Sequence, residues 1–320
     1  NRGFEILDRV GPLAAGLVAE SLFQGWDNAS KRYREVSDED RRWLIARLDE
    51  ARDRLGIPVT VVDYLPAADR ARAREIARRI AALGYTPWVS VPSLDVLGVG
   101  GVEVVPRRAL LLYDGAETRR LADAPVHRLA ALPVEHMGYA VDYLDVRRGL
   151  PPGRLAGRYA GIVTWFTDDE LPDVVGYGPW LQRQMDDGVP IAVLGRLGFP
   201  ASDAFLDRLG LSAWPEPPAR IARVATRDAL VGLEADPAPR SRGLSPWRAT
   251  GQAVAVHLSL EDEAGRRIDP VVSGPWGGLA LDPYVVDHGY QGRARWILDP
   301  FAFLARALHP EPAPAPDVTT

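Results

Sequence analysis

The chain has 320 residues, 47% of them apolar, with 43 acidic against 38 basic side chains and a formal net charge of −5. That length suggests two or three domains of roughly 100–200 residues, and the acidic balance argues against nucleic acid or an anionic membrane as a partner. Without cysteine there is no disulfide, zinc thiolate or cysteine nucleophile, and no stretch reaches the roughly 18 apolar residues that a membrane span needs.

The chain begins at Asn1 with no methionine or signal peptide, so a piece of a longer protein is expected. Gly16 to Phe23 is an apolar run ending in Glu20-Ser21 beside aromatic residues, and it reads as a buried strand. A loop carrying Trp26 and Tyr33 follows, then Ser37-Asp38-Glu39-Asp40 opens a helix that stops at Gly56. Val59 to Tyr64 is β-branched without alternation, as in a parallel strand covered on both faces. Pro66 opens a second helix with its stripe at Ile76, Ile80 and Leu83, and Thr86 to Val91 is a third strand. This βαβ rhythm implies a parallel sheet whose strand ends, Glu20-Ser21, Asp63-Tyr64 and Trp88 to Ser90, share one rim. Three strands are too few for a (β/α)8 barrel, so residues 1–105 read as the C-terminal part of one.

Gly98-Val99-Gly100-Gly101 reads as a connector, since no helix follows to make it a dinucleotide fingerprint. A second alternation of strands and helices over 106–220 suits a doubly wound, flavodoxin-like domain. Its strand ends carry Asp114, Asp145, Thr167-Asp168-Asp169 and Gly195-Arg196. Residues 221–309 read as a small β-rich module, with strands expected at Leu230–Glu234 and beyond and a closing helix after Asp299-Pro300. Residues 310–320 form a Pro-rich linker.

Glycoside hydrolysis needs a pair of carboxyl groups around the scissile bond and aromatic surfaces for sugar rings. Glu20 and Asp63 with Trp26, Tyr33, Tyr64 and Trp88 supply that inventory. For Asp63 a structural role, as a cap or an arginine partner, stands level with a role in the site. The acidic loop Thr167 to Glu170 reads as solvated, and Pro275-Trp276-Gly277-Gly278 as a turn. His127, His136, His257, His288 and His309 lack ligand spacing, so no metal site and no cofactor are expected.

Asn1 to Glu5, Ala19-Glu20-Ser21-Leu22-Phe23 and Val62-Asp63-Tyr64 resemble the later barrel strands of endo-α-1,4-polygalactosaminidase-type glycoside hydrolases. The resemblance continues through Gly157 to Trp165 to the tail Pro316 to Thr320, as in bifunctional hydrolase/deacetylase proteins of Pel-type exopolysaccharide biosynthesis. It implies hydrolysis of an amino-sugar polymer in the periplasm, Glu20 as the catalytic acid/base, and contacts to other secretion proteins. It also implies that the partner aspartate lies on a strand before Asn1, leaving this piece inactive by itself and Asp63 a substrate contact. Residues 106–220 further resemble class I glutamine amidotransferase-like folds, with Arg196 near the position of their nucleophilic cysteine. A rival reading is a non-catalytic scaffold that binds polymer or partner proteins.

Overall fold

The computed structural model describes residues 3–171, 174–213, 220–240, 247–290 and 293–309. The chain divides into two compact units, residues 1–106 with 154–158 and residues 107–153 with 159–320. The linker expected over 310–320 lies outside the described residues.

In the first unit, a turn at Phe4–Ile6 and the short helix α1 (Leu7–Val10) precede β1 (Leu17–Glu20). The strand expected to run to Phe23 ends at Glu20 because Ser21 takes a left-handed backbone, φ 63°. The stretch expected to be a loop is a hairpin, β2 (Gln24–Asp27) with β3 (Arg32–Glu35). Asp27 closes its turn by accepting from Ala29 N at 2.9 Å and Ser30 Oγ at 2.8 Å. α2 (Asp38–Asp49) starts at Ser37, whose hydroxyl accepts from Asp40 N at 3.1 Å, and widens into a π turn over Glu50–Arg54. Then come β4 (Val59–Tyr64), α3 (Arg70–Ala82), β5 (Thr86–Ser90) and β6 (Val99–Gly100), with Pro66 in the loop ahead of α3.

These strands form one sheet in the order β1-β4-β5-β6. The first three are parallel; β6, in the expected connector, runs antiparallel to β5. Ala19, Val59, Val61 and Val89 point to one face, where Leu44 and Leu48 of α2 and Ala73, Ile76, Ala77 and Ile80 of α3 cover them. Each such buried aliphatic side chain stabilises by about 1.5–3 kcal/mol relative to exposure. The alternate residues of the strands face away from both helices.

The second unit is a mixed α/β assembly. β7 (Arg108–Tyr113), α4 (Ala131–His136), β8 (Ala140–Asp145), β9 (Gly161–Thr164), α5 (Tyr177–Asp186), β10 (Ile191–Leu194) and α6 (Asp203–Leu209) follow the expected rhythm. β11 (Leu211–Ala213) pairs with β13 (Trp247–Ala249), on either side in sequence of β12 (Ile221–Thr226). β14 (Ala255–Asp262), β15 (Arg267–Gly274) and β16 (Gly277–Ala280) form an antiparallel meander, and β17 (Val286–Tyr290) pairs with β18 (Arg293–Trp296) before α7 (Pro300–Leu308). The strand expected over Leu230–Glu234 is a single bridge, Val231 to Leu298.

Eight strands make one sheet, β12-β14-β15-β16-β10-β9-β7-β8, parallel from β16 to β8 and antiparallel from β12 to β16. This sheet runs across residue 220, where the sequence suggests a boundary. The join is β16 against β10, and it needs Gly277: a Cβ there would sit 2.0 Å from the Ile191 carbonyl oxygen.

Candidate active site

The helix-free face of the first unit's sheet carries the chemistry. Register sets Glu20, Val62 and Trp88 abreast on β1, β4 and β5, with Glu20 and Trp88 about 10 Å apart at the backbone, two strand spacings. Glu20 is exposed, as is Val18 at 65%, so this face stands open around the carboxylate.

Tyr64, farther along β4 on the same face, is buried, and its hydroxyl lies within hydrogen-bonding reach of the Glu20 carboxylate. Burial, followed by the Glu20 charge and that hydrogen bond, pushes the phenol up to about 12. Tyr64 is therefore a neutral phenol beside Glu20, and its burial leaves little ring surface for the sugar contact expected of it. Trp88 is half-buried, its indole packed over β6, where a Cβ on Gly98 would meet Trp88 Cε2 at 2.7 Å. Gly98 and Gly100 are thus the bed of an aromatic side chain.

Trp26 and Tyr33 are cross-strand partners on the β2–β3 hairpin, edge to face with ring centroids 4.8 Å apart, and both are half-buried. The hairpin begins directly after the Ser21 turn, which ties their placement to that of Glu20.

Asp63 is the residue whose expected role the structure corrects. It has no accessible surface and points to the helix side of the sheet, opposite Glu20 and Tyr64. Its Oδ1 accepts from Leu22 N at 2.6 Å, and its Oδ2 accepts from Phe23 N and Gln24 N, each at 2.8 Å. Burial pushes its carboxyl up, against the pull of those three N–H groups and of Arg79. A carboxylate so enclosed cannot touch a polymer; it shapes the turn that follows Glu20. Reasoning from the sequence also missed Phe23, whose ring is flanked by the Arg79 guanidinium at 4.1 Å and that of Arg41 at 5.5 Å. Cation–π partners far apart along the chain leave no local signal.

In the second unit, Arg196 follows β10, donates its N–H to the Phe166 carbonyl and pairs with Asp169 at 3.1 Å. The Thr167 and Asp168 N–H groups donate to Glu117. Among the described residues, no group of three or more His, Cys, Asp or Glu side chains is placed to hold a metal. Trp276 donates its Nε1–H to the Leu209 carbonyl at 2.9 Å, a packing role. His257 is fully buried between Asp228, at 2.7 Å from Nδ1, and Ser273, at 2.8 Å from Nε2. The Phe303 ring of α7 lies edge-on to the imidazole and also fills the space over Gly278, the cross-strand partner of Ser273. That relay is an enclosed polar contact beneath a helix. No described helix is long and apolar enough to cross a membrane.

No family model and no curated protein matches the chain. Among solved structures it is similar to the glycoside hydrolase domain of PelA from Pseudomonas aeruginosa, 47% identical, with 32% of this chain and 40% of that one covered and a TM-score of 0.30. A glutamate-to-alanine variant of that domain is 46% identical, with the same coverage and TM-score. The chain therefore spans less than half the length of either structure.

Proposed function

We propose that the first unit is the later part of a (β/α)8 glycoside hydrolase that cleaves an amino-sugar exopolysaccharide, with Glu20 as its acid/base. The observation carrying this reading is the open, helix-free face on which an exposed carboxylate has a neutral phenol in reach and an indole abreast. A strand-end carboxylate beside aromatic surfaces suits protonation of a glycosidic oxygen, and the name of the similar structures is of the same class. The second carboxyl group is not Asp63. It comes from an earlier strand of the barrel, as the resemblance implies. Trp88 and the Trp26–Tyr33 pair are the sugar contacts on this reading.

The wider assignment follows the resemblance: a periplasmic protein with a deacetylase part, acting beside other secretion components. The second unit's order β8-β7-β9-β10-β16 supports a flavodoxin-like core. Arg196 at the turn after β10 favours a binding or scaffolding role there over amidotransfer.

The test is hydrolysis of a partly de-N-acetylated galactosaminoglycan by the protein that carries this chain. Glu20→Gln is expected to lower the rate at least about 100-fold. Full activity in that variant removes the assignment.

A further inference from the structure

Asp63 and Tyr64 are neighbours on β4, so their side chains leave opposite faces of the sheet, and both end at Glu20 or at the turn behind it. We propose that this pair is a two-sided positioning device that aims the Glu20 carboxylate. The inference rests on the reading of Glu20 as the acid/base.

From behind the sheet, Asp63 gathers the N–H groups of Leu22, Phe23 and Gln24. Leu22 and Phe23 are buried, so those donors need acceptors within the protein. A single carboxylate serves all three through charge-assisted hydrogen bonds, and that is what makes its own burial tolerable. The effect is to lock the chain reversal at Ser21, whose N–H still pairs with the Val62 carbonyl at 2.9 Å while its φ is 63°. Glu20 is the last residue before that reversal, at the end of β1, where it lies opposite Val62 of β4. Without the lock, the reversal loosens and the Glu20 carboxylate loses its aim. From the front, Tyr64 lies on the Glu20 face, two residues beyond its register partner Val62, and its hydroxyl reaches toward the Glu20 carboxylate.

Removing either hold misaligns the proton donor, so kcat falls; losing the Asp63 hold also loosens Gln24, where the hairpin carrying Trp26 and Tyr33 begins. In the full protein, Asp63→Asn replaces one acceptor oxygen by an NH2 group facing N–H donors. It is expected to lower kcat at least tenfold and to raise KM as well, since the hairpin loosens with it, assayed well below the variant's own melting temperature. Tyr64→Phe, which removes one oxygen and no packing, is expected to lower kcat three- to tenfold. In a Glu20→Gln background each change is expected to cost less than about twofold in kcat, because each acts through Glu20. Wild-type kcat in folded Asp63→Asn and in Tyr64→Phe overturns the proposal, as does full additivity with Glu20→Gln. If Asp63→Asn does not fold, wild-type kcat in Tyr64→Phe alone overturns it. Full activity in Glu20→Gln instead marks the failure of the underlying assignment.

Discussion

Ser21 shows how much a single backbone conformation decides. A left-handed residue other than glycine costs roughly 1–2 kcal/mol, and here it turns the chain from β1 into the hairpin. Glycine would relieve that cost, whereas a β-branched residue would add to it. Ser21→Val is therefore expected to lower stability by about 1–2 kcal/mol and Ser21→Gly to leave it unchanged or higher, read by urea melts. Gly25 constrains the same corner, since a Cβ there would lie 3.0 Å from Ser21 Oγ.

Among the elements, α3 depends on a neighbour for charge compensation. Arg70 and Arg74 sit in its first turns, where the helix dipole disfavours cations, and Glu103 pairs with both at 2.6 Å. Burial raises the Glu103 carboxyl, but the hydrogen bonds from Arg74 and Arg70 outweigh it and hold the group below its ordinary value of 4.5. A depressed carboxyl stabilises the fold above its unfolded value, and that stabilisation is lost as pH falls through the folded one. Glu103→Gln is accordingly expected to cost about 1 kcal/mol at pH 7. The difference from the unaltered chain should shrink as pH falls below the ordinary glutamate range, which melts at neutral and at acid pH check directly.

For the whole molecule, the deciding feature is the sheet that crosses residue 220. β10 lies between β9 and β16, and α7 packs on β16 and β10, so strands on either side of the expected boundary complete one another. A chain ending at residue 220 leaves β10 as a bare apolar edge. It is expected to aggregate or stay unfolded by circular dichroism, whereas a chain of residues 107–309 folds. A cooperative melt from residues 107–220 alone would show the boundary to be real.

Periodicity sufficed for the βαβ order of the first unit, for where its two helices stop and for Glu20 as a strand-end carboxylate. These follow from side-chain alternation, capping residues and glycines, all of which act within a few residues of themselves. The hairpin read as a loop, because polar turn residues around two short strands look like a loop until the strands pair. What only the tertiary structure decided were the two faces of β4, the acceptor role of Asp63, the glycine bed under Trp88 and the sheet joined at Gly277. Each depends on which distant backbone group lies opposite a side chain, and burial and pairing register exist only once the chain has closed on itself.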